Sequence, residues 1–342
     1  MIRRAARIVL VNLALLLAVA LAAELIFGHW LSRDPLDRLD IFRNGRVTVD
    51  ATTLYPGGRM HLYRRDQWGL RGPGVDPAAV AVLTVGGSTT NQMYLEEDAT
   101  WQAAAARALG ERGRPVVFAN AGLDGQSTVG HLRNFEVWFP HVPGLRPKIV
   151  VAYVGLNDLA AGGLSIDTLA FSSTLKKLRY NSALIRAGRV IEGWLAAKRA
   201  RLNHKKVDYA RAEWTEVPNF PDAAAPDTSA YAARAKELVA RIRALGAKPV
   251  LVTQVSGDAR LAGGVLRGLA EQDGPNGVDR GRRLAAFNAA TLAVCRETGA
   301  ICLDLAGEVA FEDGDFYDEV HNTPQGAEKI GRWLAGRLAG VL

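Results

Sequence analysis

A long apolar run opens the chain: 18 of the 20 residues over Ile8–Phe27 are apolar, and only Asn12 and Glu24 interrupt it. Twenty residues at the helical rise span the hydrocarbon core of a bilayer, which is about 30 Å thick. Three arginines precede the run, and such positive charge holds an N-terminus in the cytoplasm while the following chain crosses. The pattern predicts one transmembrane helix over residues 8–28 after a cytoplasmic segment over residues 1–7.

Two other interpretations of this run remain open. Residues 18–20 and 20–22 resemble the small-residue sites at which signal peptides are cleaved. Hydrophobicity continues past them to Phe27, and Trp30 follows at interface depth, which favours an uncleaved anchor. A buried helix of a soluble protein is disfavoured because this helix has no polar face to turn to water. With an anchor or a signal peptide, the rest of the chain works outside the cytoplasm.

From residue 76 the pattern changes to short apolar runs that alternate with helical stretches. Continuous apolar runs are typical of buried parallel strands. Five runs have this character: 79–85, 115–119, 148–154, 248–253 and 300–305. Helices are predicted over 100–112, 128–139 and 324–338. This alternation predicts a three-layer α/β/α sandwich with a five-stranded parallel sheet, in which functional residues collect at the carboxyl ends of the strands.

The segments around this core are more polar. Residues 29–75 are rich in turns and predict a membrane-proximal stalk, whereas residues 76–342 form one domain with a helical insertion at about 163–245. Within the insertion, residues 184–207 carry seven Lys and Arg against a lone Glu, which fits contact with anionic lipid or an acidic polymer, or a solvated helix face. The Gly-rich segment 256–281 has the composition of a mobile lid or of an idle surface loop.

Composition narrows the class of protein. A chain of 342 residues with 49% hydrophobic and 23% charged residues excludes intrinsic disorder, collagen and coiled coils. Two cysteines exclude a disulfide scaffold and a Cys-rich zinc module, and Cys295 and Cys302 are expected either to pair or to be small buried hydrophobes. The net charge of +7 is spread over a long chain and does not indicate nucleic acid.

Polar residues follow the predicted strands in a chemically meaningful order. Ser88 comes directly after the first strand and two glycines, so a tight turn into a helix exposes its hydroxyl and directs its N–H into the crevice. Gly122 follows the second strand and allows backbone to approach a ligand. Asn157 follows the third strand, where its amide can donate to an anion, because the adjacent Asp158 is better suited to cap the next helix.

Asp318 and His321 lie beyond the fifth strand, three residues apart, so both side chains face the same side of a helical turn or tight loop. The carboxylate can then hold one imidazole nitrogen and leave the other free as a base. Together these positions supply a nucleophile, a base, an orienting acid and oxyanion donors, which is the minimum set for acyl transfer. This set requires no metal and no cofactor, and His131 and His141 are interpreted as structural.

In these residues the sequence resembles the SGNH (GDSL-type) hydrolase superfamily, and specifically its membrane-anchored bacterial members. The matching blocks are Gly86-Gly87-Ser88-Thr89, Gly122, Gly155-Leu156-Asn157-Asp158 and Asp318-Glu319-Val320-His321, within a similarity that covers about residues 67–342. The first block departs from Gly-Asp-Ser-Leu at Gly87 and Thr89. The resemblance implies a flavodoxin-like sandwich, a triad of Ser88, His321 and Asp318, and an oxyanion hole of Ser88, Gly122 and Asn157.

The expected function is therefore that of a serine esterase that removes acyl groups, foremost O-acetyl, from envelope or secreted carbohydrate through an acyl-enzyme. The expected location is the inner membrane, with a single span and the catalytic domain on the periplasmic side. An O-acyltransferase on a polysaccharide uses the same residues, and a lysophospholipase or thioesterase is favoured by membrane proximity. A membrane-tethered glycan-binding or assembly protein is the non-enzymatic alternative. The expected partners are thus a small ester or acylated polysaccharide and the membrane, with no nucleic acid.

Overall fold

The structure is a computed structural model that describes residues 2–160, 165–185 and 206–342. It divides into two compact units: the smaller comprises Met1–Asp40 with Ala170–Arg201, and the larger comprises Ile41–Leu169 with Leu202–Leu342. Most of the basic stretch predicted over 184–207 lies outside the described residues. Each unit is built around a different kind of element, an apolar helix in the smaller and a parallel sheet in the larger.

The described residues contain the following strands: β1 (Gly45–Asp50), β2 (Met60–Arg65), β3 (Val82–Gly86), β4 (Phe118–Asn120), β5 (Ile149–Tyr153), β6 (Trp214–Thr215), β7 (Lys248–Val252), β8 (Ala259–Ala262), β9 (Val265–Leu269) and β10 (Ile301–Leu303). The helices are α1 (Ile2–Phe27), α2 (Ser88–Asn91), α3 (Trp101–Glu111), α4 (Thr128–Val137), α5 (Thr174–Asn181), α6 (Ser229–Ala244), α7 (Gly277–Thr298), α8 (Leu305–Glu308) and α9 (Pro324–Leu338).

Five parallel strands form the central sheet in the order β10-β7-β5-β3-β4. Counted along the chain this is the order 2-1-3-4-5 of flavodoxin-like folds, which confirms the predicted fold class. The order reverses between β3 and β5, so a crevice opens beyond the carboxyl ends of these two strands. Ser88 and Asn157 follow these strands directly, and the topology thereby brings them to one place.

The inner strands β3, β5 and β7 are buried on both faces, as their continuous apolar sequences predict. On one face, side chains from β3, β5, β7 and β10 share a core with α3 and α9: Val82, Val151, Val250, Leu303, Trp101, Ala105, Ile330 and Leu334. On the other side of the sheet, α6 and α7 pack against β7. The predicted strands and the three predicted helices all occur, with ends that differ by up to three residues.

Three segments differ from their sequence expectation. Residues 41–75 are part of the larger unit rather than a separate stalk, because β1 and β2 form an antiparallel hairpin whose Val49 and Tyr63 are buried in the sheet core. Helix α6 falls within the expected insertion, yet it is a layer of the sandwich. The Gly-rich segment folds into the hairpin β8–β9, which joins β6 in a small sheet, and then into the start of α7.

The two cysteines are free in the structure. Cys295 is buried, as expected of a small hydrophobe, whereas Cys302 is exposed. Helix α1 carries the predicted apolar run, and over Arg3–Phe27 it is long and apolar enough to cross a membrane, with none of its most apolar stretch buried inside the protein. A signal sequence has the same length and composition, so these properties alone do not separate the two.

Close contact between α3 and α9 depends on a glycine. A Cβ on Gly331 would overlap Ala104 and would lie 2.8 Å from the backbone nitrogen of Ala105. We expect Gly331→Ala to lower the free energy of unfolding by about 1–3 kcal/mol, because two backbones would be forced apart. Gly336→Ala on the same helix is the matched control, since its nearest neighbour is 3.7 Å away. It should be stabilising by about 0.5–1 kcal/mol. Urea unfolding followed by circular dichroism measures both, and equal effects would contradict the packing argument.

Candidate active site

Ser88 is the first residue of α2, directly after β3 and Gly87. Its side chain is partly exposed, whereas the strand before it and the three residues after it are buried. A side chain at position 86 would overlap Thr90 and the carbonyl of Tyr153, so a glycine there lets the chain turn sharply between strand and helix. The turn leaves the Ser88 hydroxyl at the crevice while its N–H, at the start of a helix, has no intrahelical acceptor.

His321 and Asp318 belong to the C-terminal part of the larger unit, and His321 contacts Ser88. His321 Nε2 lies 2.8 Å from Ser88 Oγ, and His321 Nδ1 lies 2.8 Å from Asp318 Oδ2. Asp318 Oδ1 also accepts the backbone N–H groups of Val320 at 2.8 Å and of His321 at 2.6 Å. Burial raises the pKa of Asp318, but the hydrogen bonds from His321 and the backbone outweigh it and hold that pKa below its usual value. The carboxylate is therefore ionised at neutral pH, and its bidentate contact with Nδ1–H fixes the orientation of the imidazole.

The loop that carries His321 is braced by two tyrosines that sequence reasoning missed. The ring of Tyr317 stacks on the imidazole, with 5.6 Å between centroids and an interplanar angle of 12°. Tyr209 donates from its hydroxyl to the carbonyl oxygen of Asp318 at 2.7 Å. Tyr317 directly precedes the Asp-x-x-His motif, so the sequence could have indicated that it lies close to His321. Tyr209 is 109 residues from Asp318, and no local pattern indicates their contact.

Asn157 lies opposite, at the end of β5. Its side-chain amide donates to the carbonyl of Gln126 at 2.9 Å, which leaves the second amide hydrogen for another acceptor. A side chain at Gly87 would overlap the Asn157 amide nitrogen, so this nitrogen sits against the backbone next to Ser88. Asp158 caps a helix, as expected, but the helix is α4: it accepts from the N–H of Thr128 at 3.1 Å and pairs with Arg234 at 3.1 Å.

Gly122 is not placed as an oxyanion donor. Its N–H already donates to Asn120 Oδ1 at 2.9 Å, and its carbonyl accepts from Arg65. A Cβ there would overlap Asn91 of α2, so the glycine is needed for close packing against residues 86–92. We call this segment the nucleophile turn, after the nucleophile predicted at Ser88. Gly125 in the same loop is partly exposed with φ 76°, and its N–H has no hydrogen-bond partner in the described part of the chain. Both glycines follow β4; the sequence predicts Gly122 as the donor, whereas these hydrogen bonds leave Gly125 as the glycine with an available N–H.

Two buried arginines from the 41–75 segment lie beneath the nucleophile turn. Arg71 donates to the carbonyls of Asn91 and, at 2.6 Å, of Leu95. Arg65 donates to Tyr63 at 2.6 Å, to the carbonyl of Gly69 at 2.6 Å and to Asn91 Oδ1 at 3.0 Å, besides Gly122. Neither forms an ion pair with a described carboxylate, and burial lowers the pKa of Arg71 to about 10. Both guanidinium groups therefore bind carbonyl and amide oxygens that fix the chain after Ser88.

A small cavity of about 10 Å³ opens behind Ser88, enough for one water-sized group. Its lining includes Asn157, Gln126, Gln254 and His131. His131 is structural, as expected: it is buried, its Nδ1 lies 2.9 Å from Gln126 Oε1, and burial lowers its pKa to about 3, so it is neutral. A much larger open cleft of about 910 Å³ lies elsewhere, between Arg46, Trp68 and Asp76, and contains none of these residues.

The arrangement fits acyl transfer and offers no metal site. A serine hydroxyl, an imidazole and an ionised carboxylate form one continuous hydrogen-bonded chain, in which the imidazole can take the hydroxyl proton as the oxygen attacks. Within residues 2–160, 165–185 and 206–342, no group of three His, Cys, Asp or Glu side chains is arranged to hold a metal ion.

The contacts of Arg71 lead to a prediction about the nucleophile turn. Arg71→Met leaves the carbonyls of Asn91 and Leu95 without their donor, which should cost about 1–3 kcal/mol for each in unfolding free energy. Because both carbonyls belong to the chain just after Ser88, we also expect kcat to fall while KM changes little. Steady-state kinetics and urea unfolding measure the two effects. Arg46→Met, an exposed position on β1, is the control and should stay within about 0.5 kcal/mol.

Comparisons with known proteins identify the family of the chain. A profile of the GDSL-like lipase/acylhydrolase family matches residues 84–329. Solved structures similar to the chain include TesA, at 16% identity over 76% of this chain and 99% of that one, with a TM-score of 0.42. A GDSL-like lipase of Bacteroides thetaiotaomicron has 13% identity over 79% and 93%, with a TM-score of 0.42. A carbohydrate acetylesterase of Sinorhizobium meliloti has 12% identity over 77% and 100%, with a TM-score of 0.43.

No curated protein sequence matches the chain. The similarity to the solved structures is too low to carry an argument about substrate or mechanism. The family profile is a stronger finding, because it spans the sheet from β3 to α9 and includes Ser88, Asn157, Asp318 and His321. It confirms the family predicted from the sequence motifs. The chain belongs to the GDSL-like lipase/acylhydrolase family and is an ester hydrolase.

Proposed function

We propose that the protein is a membrane-anchored serine esterase that removes small acyl groups, foremost acetyl, from carbohydrate outside the cytoplasm. The observation that carries the proposal is the unbroken hydrogen-bonded chain from Ser88 Oγ through His321 to Asp318, with 2.8 Å at each step. A glycan-binding or assembly protein on this fold has no need of such a chain. Ser88 follows the interior strand β3, and the His–Asp pair follows the edge strand β10, 233 residues later for His321, so chance proximity is a poor explanation.

In the proposed reaction, Ser88 Oγ attacks the ester carbonyl carbon while its proton passes to His321 Nε2. The oxyanion of the tetrahedral intermediate accepts hydrogen bonds from the N–H of Ser88, the free amide hydrogen of Asn157 and the N–H of Gly125. The imidazolium, stabilised by Asp318, then gives its proton to the leaving alcohol oxygen as the carbon–oxygen bond breaks. Water deprotonated by His321 attacks the acyl-enzyme in the same way, and the acid and free Ser88 result.

The environment of Ser88 supports a small acyl group. The cavity beside it has room for about one water-sized group, which is the scale of an acetyl methyl and not of a long acyl chain. A lysophospholipase or thioesterase needs a long apolar groove, and the cavity lined by Ser88 is too small to be one. The carbohydrate part of the proposal comes from the resemblance of the sequence to membrane-anchored bacterial members of the family.

The location proposed for this activity follows from α1. Three arginines precede its apolar stretch, and none of that stretch is buried in the protein, so a bilayer is the environment that hides its side chains. We propose that α1 is an uncleaved anchor of the inner membrane, with residues 1–7 in the cytoplasm and the hydrolase unit on the periplasmic side.

Labelling with a fluorophosphonate tests the nucleophile. Wild-type protein should be labelled at Ser88, whereas Ser88→Ala should lose the label and about 10⁴-fold or more of kcat on p-nitrophenyl acetate. Ser172→Ala is the matched control, because Ser172 is exposed and its hydroxyl has no hydrogen-bond partner among the described residues. It should keep both label and activity. Wild-type turnover by a folded Ser88→Ala protein would refute the proposed nucleophile.

The length of the acyl chain tests the substrate class. We expect kcat/KM to fall at least about tenfold from p-nitrophenyl acetate to p-nitrophenyl octanoate, because the cavity at Ser88 cannot hold the longer chain. Both esters share one leaving group, so the comparison isolates the acyl site. Equal or faster hydrolysis of the octanoate would replace the proposed deacetylase by a long-chain acylhydrolase, while the triad assignment would stand.

A further inference from the structure

The smaller unit contains a carboxylate whose partners come from a distant part of the chain. Glu24, near the end of α1, accepts hydrogen bonds from Ser182 Oγ at 2.6 Å and from the backbone N–H groups of Ala183 at 3.0 Å and Leu184 at 3.1 Å. Trp30 donates to the same carboxylate at 2.7 Å. An isolated carboxylate at the edge of a bilayer is costly, and these four donors compensate for that cost.

A second set of contacts holds the same two parts of the chain together. The N–H of His29 donates to the carbonyl of Asn181 at 2.9 Å, and the His29 ring stacks on Tyr180 with 5.1 Å between centroids. Tyr180 donates to Asp37 at 2.8 Å, and Lys176 pairs with Asp40. Helix α5 and the residues after it are thus fixed to the end of α1 through side chains and backbone alike.

These contacts determine the depth of the attached segment. Glu24 lies three residues before the end of α1 at Phe27, which is about 4.5 Å along the helix axis. If residues 8–28 span the bilayer, as proposed above, Glu24 reaches the boundary between acyl chains and headgroups. Ser182 and Leu184 are within hydrogen-bond distance of Glu24 and therefore lie in the same layer.

The face of α5 that these contacts leave uncovered is amphipathic. Leu175 and Leu178 are one helical turn apart and are 53% and 43% exposed. Lys177 and Arg179 flank them and have no carboxylate partner among the described residues, whereas Lys176 and Tyr180 face the 29–40 segment. Leu184 and Ile185 continue the exposed apolar positions, at 49% and 36%. Leucines flanked by cations are typical of helices that lie in a membrane interface.

We propose that residues 174–185 lie on the membrane surface beside the anchor, with Leu175 and Leu178 in the headgroup layer and Lys177 and Arg179 bound to anionic phospholipid headgroups. The bilayer is the occupant because the surface continues directly from the apolar helix that enters it, and because the uncompensated charge of α5 is positive. The inference rests on the proposed membrane anchor and is independent of the esterase chemistry.

Spin-label depth measurements on the full chain test this proposal. The two native cysteines are replaced by alanine, and a nitroxide is placed at Leu178→Cys in nanodiscs of phosphatidylcholine with or without phosphatidylglycerol. Separate labels at Leu16→Cys in α1 and at Val217→Cys, 70% exposed in the hydrolase unit, provide the bilayer and water references. With phosphatidylglycerol, the label at 178 should be several-fold less accessible to an aqueous nickel chelate than the label at 217.

Two sets of variants separate the causes. Lys177→Glu with Arg179→Glu should return the 178 label toward water in phosphatidylglycerol nanodiscs, and an unchanged depth would overturn the headgroup contact. Glu24→Ala should release the segment, whereas Asn12→Ala, whose amide bonds only within α1, should not. If the label at 16 is in the bilayer but the label at 178 matches that at 217, the docking surface is refuted and the anchor stands. If the label at 16 is itself in water, the anchor fails and the docking surface with it.

Discussion

The hydrogen bond between His321 and Ser88 joins residues 233 positions apart in the sequence. The rest of the larger unit holds these two side chains at hydrogen-bond distance. Ser88 is fixed because β3 is an interior strand of the sheet, paired with β4 on one side and β5 on the other. His321 is fixed because Asp318, two backbone N–H groups and the Tyr317 ring hold its loop. The 2.8 Å contact forms only when both residues are held in these positions, so it depends on the folding of the whole sandwich.

The nucleophile turn shows how this fold keeps a sharp turn in one conformation. Close packing by Gly86, Gly87 and Gly122 leaves no room for side chains, and the carbonyls that the turn presents inward need donors. Arg65 and Arg71 supply those donors from a segment that precedes the sheet in the chain. Two desolvated cations are an unusual means of satisfying carbonyl groups, but each guanidinium reaches several oxygens in fixed geometry. Residues 41–75, which precede β3, are thus part of the hydrolase unit and not a separate stalk.

The small-acyl specificity and the membrane attachment that we propose depend on different parts of the chain. The cavity at Ser88 is bounded by residues at the ends of β3 and β5 and by the loop after β4, all in the larger unit. The apolar helix and the segment that binds its end form the smaller unit. Residues 170–185 therefore belong structurally with the N-terminal segment, although in sequence they interrupt the hydrolase. Substitutions in one unit can therefore be tested separately from substitutions in the other.

The sequence by itself determined the apolar helix, the five buried strands and the order of Ser88, Asn157, Asp318 and His321, because burial and strand-end position leave local patterns that can be read without coordinates. Only the tertiary structure decided which glycine has a free N–H, since that depends on Asn120 already accepting from Gly122. It also decided that residues 41–75 are core and that Glu24 meets Ser182. The first outcome depends on the direction of one side chain, and the other two depend on contacts between residues far apart in the chain. No periodicity or spacing in the sequence records either kind of information.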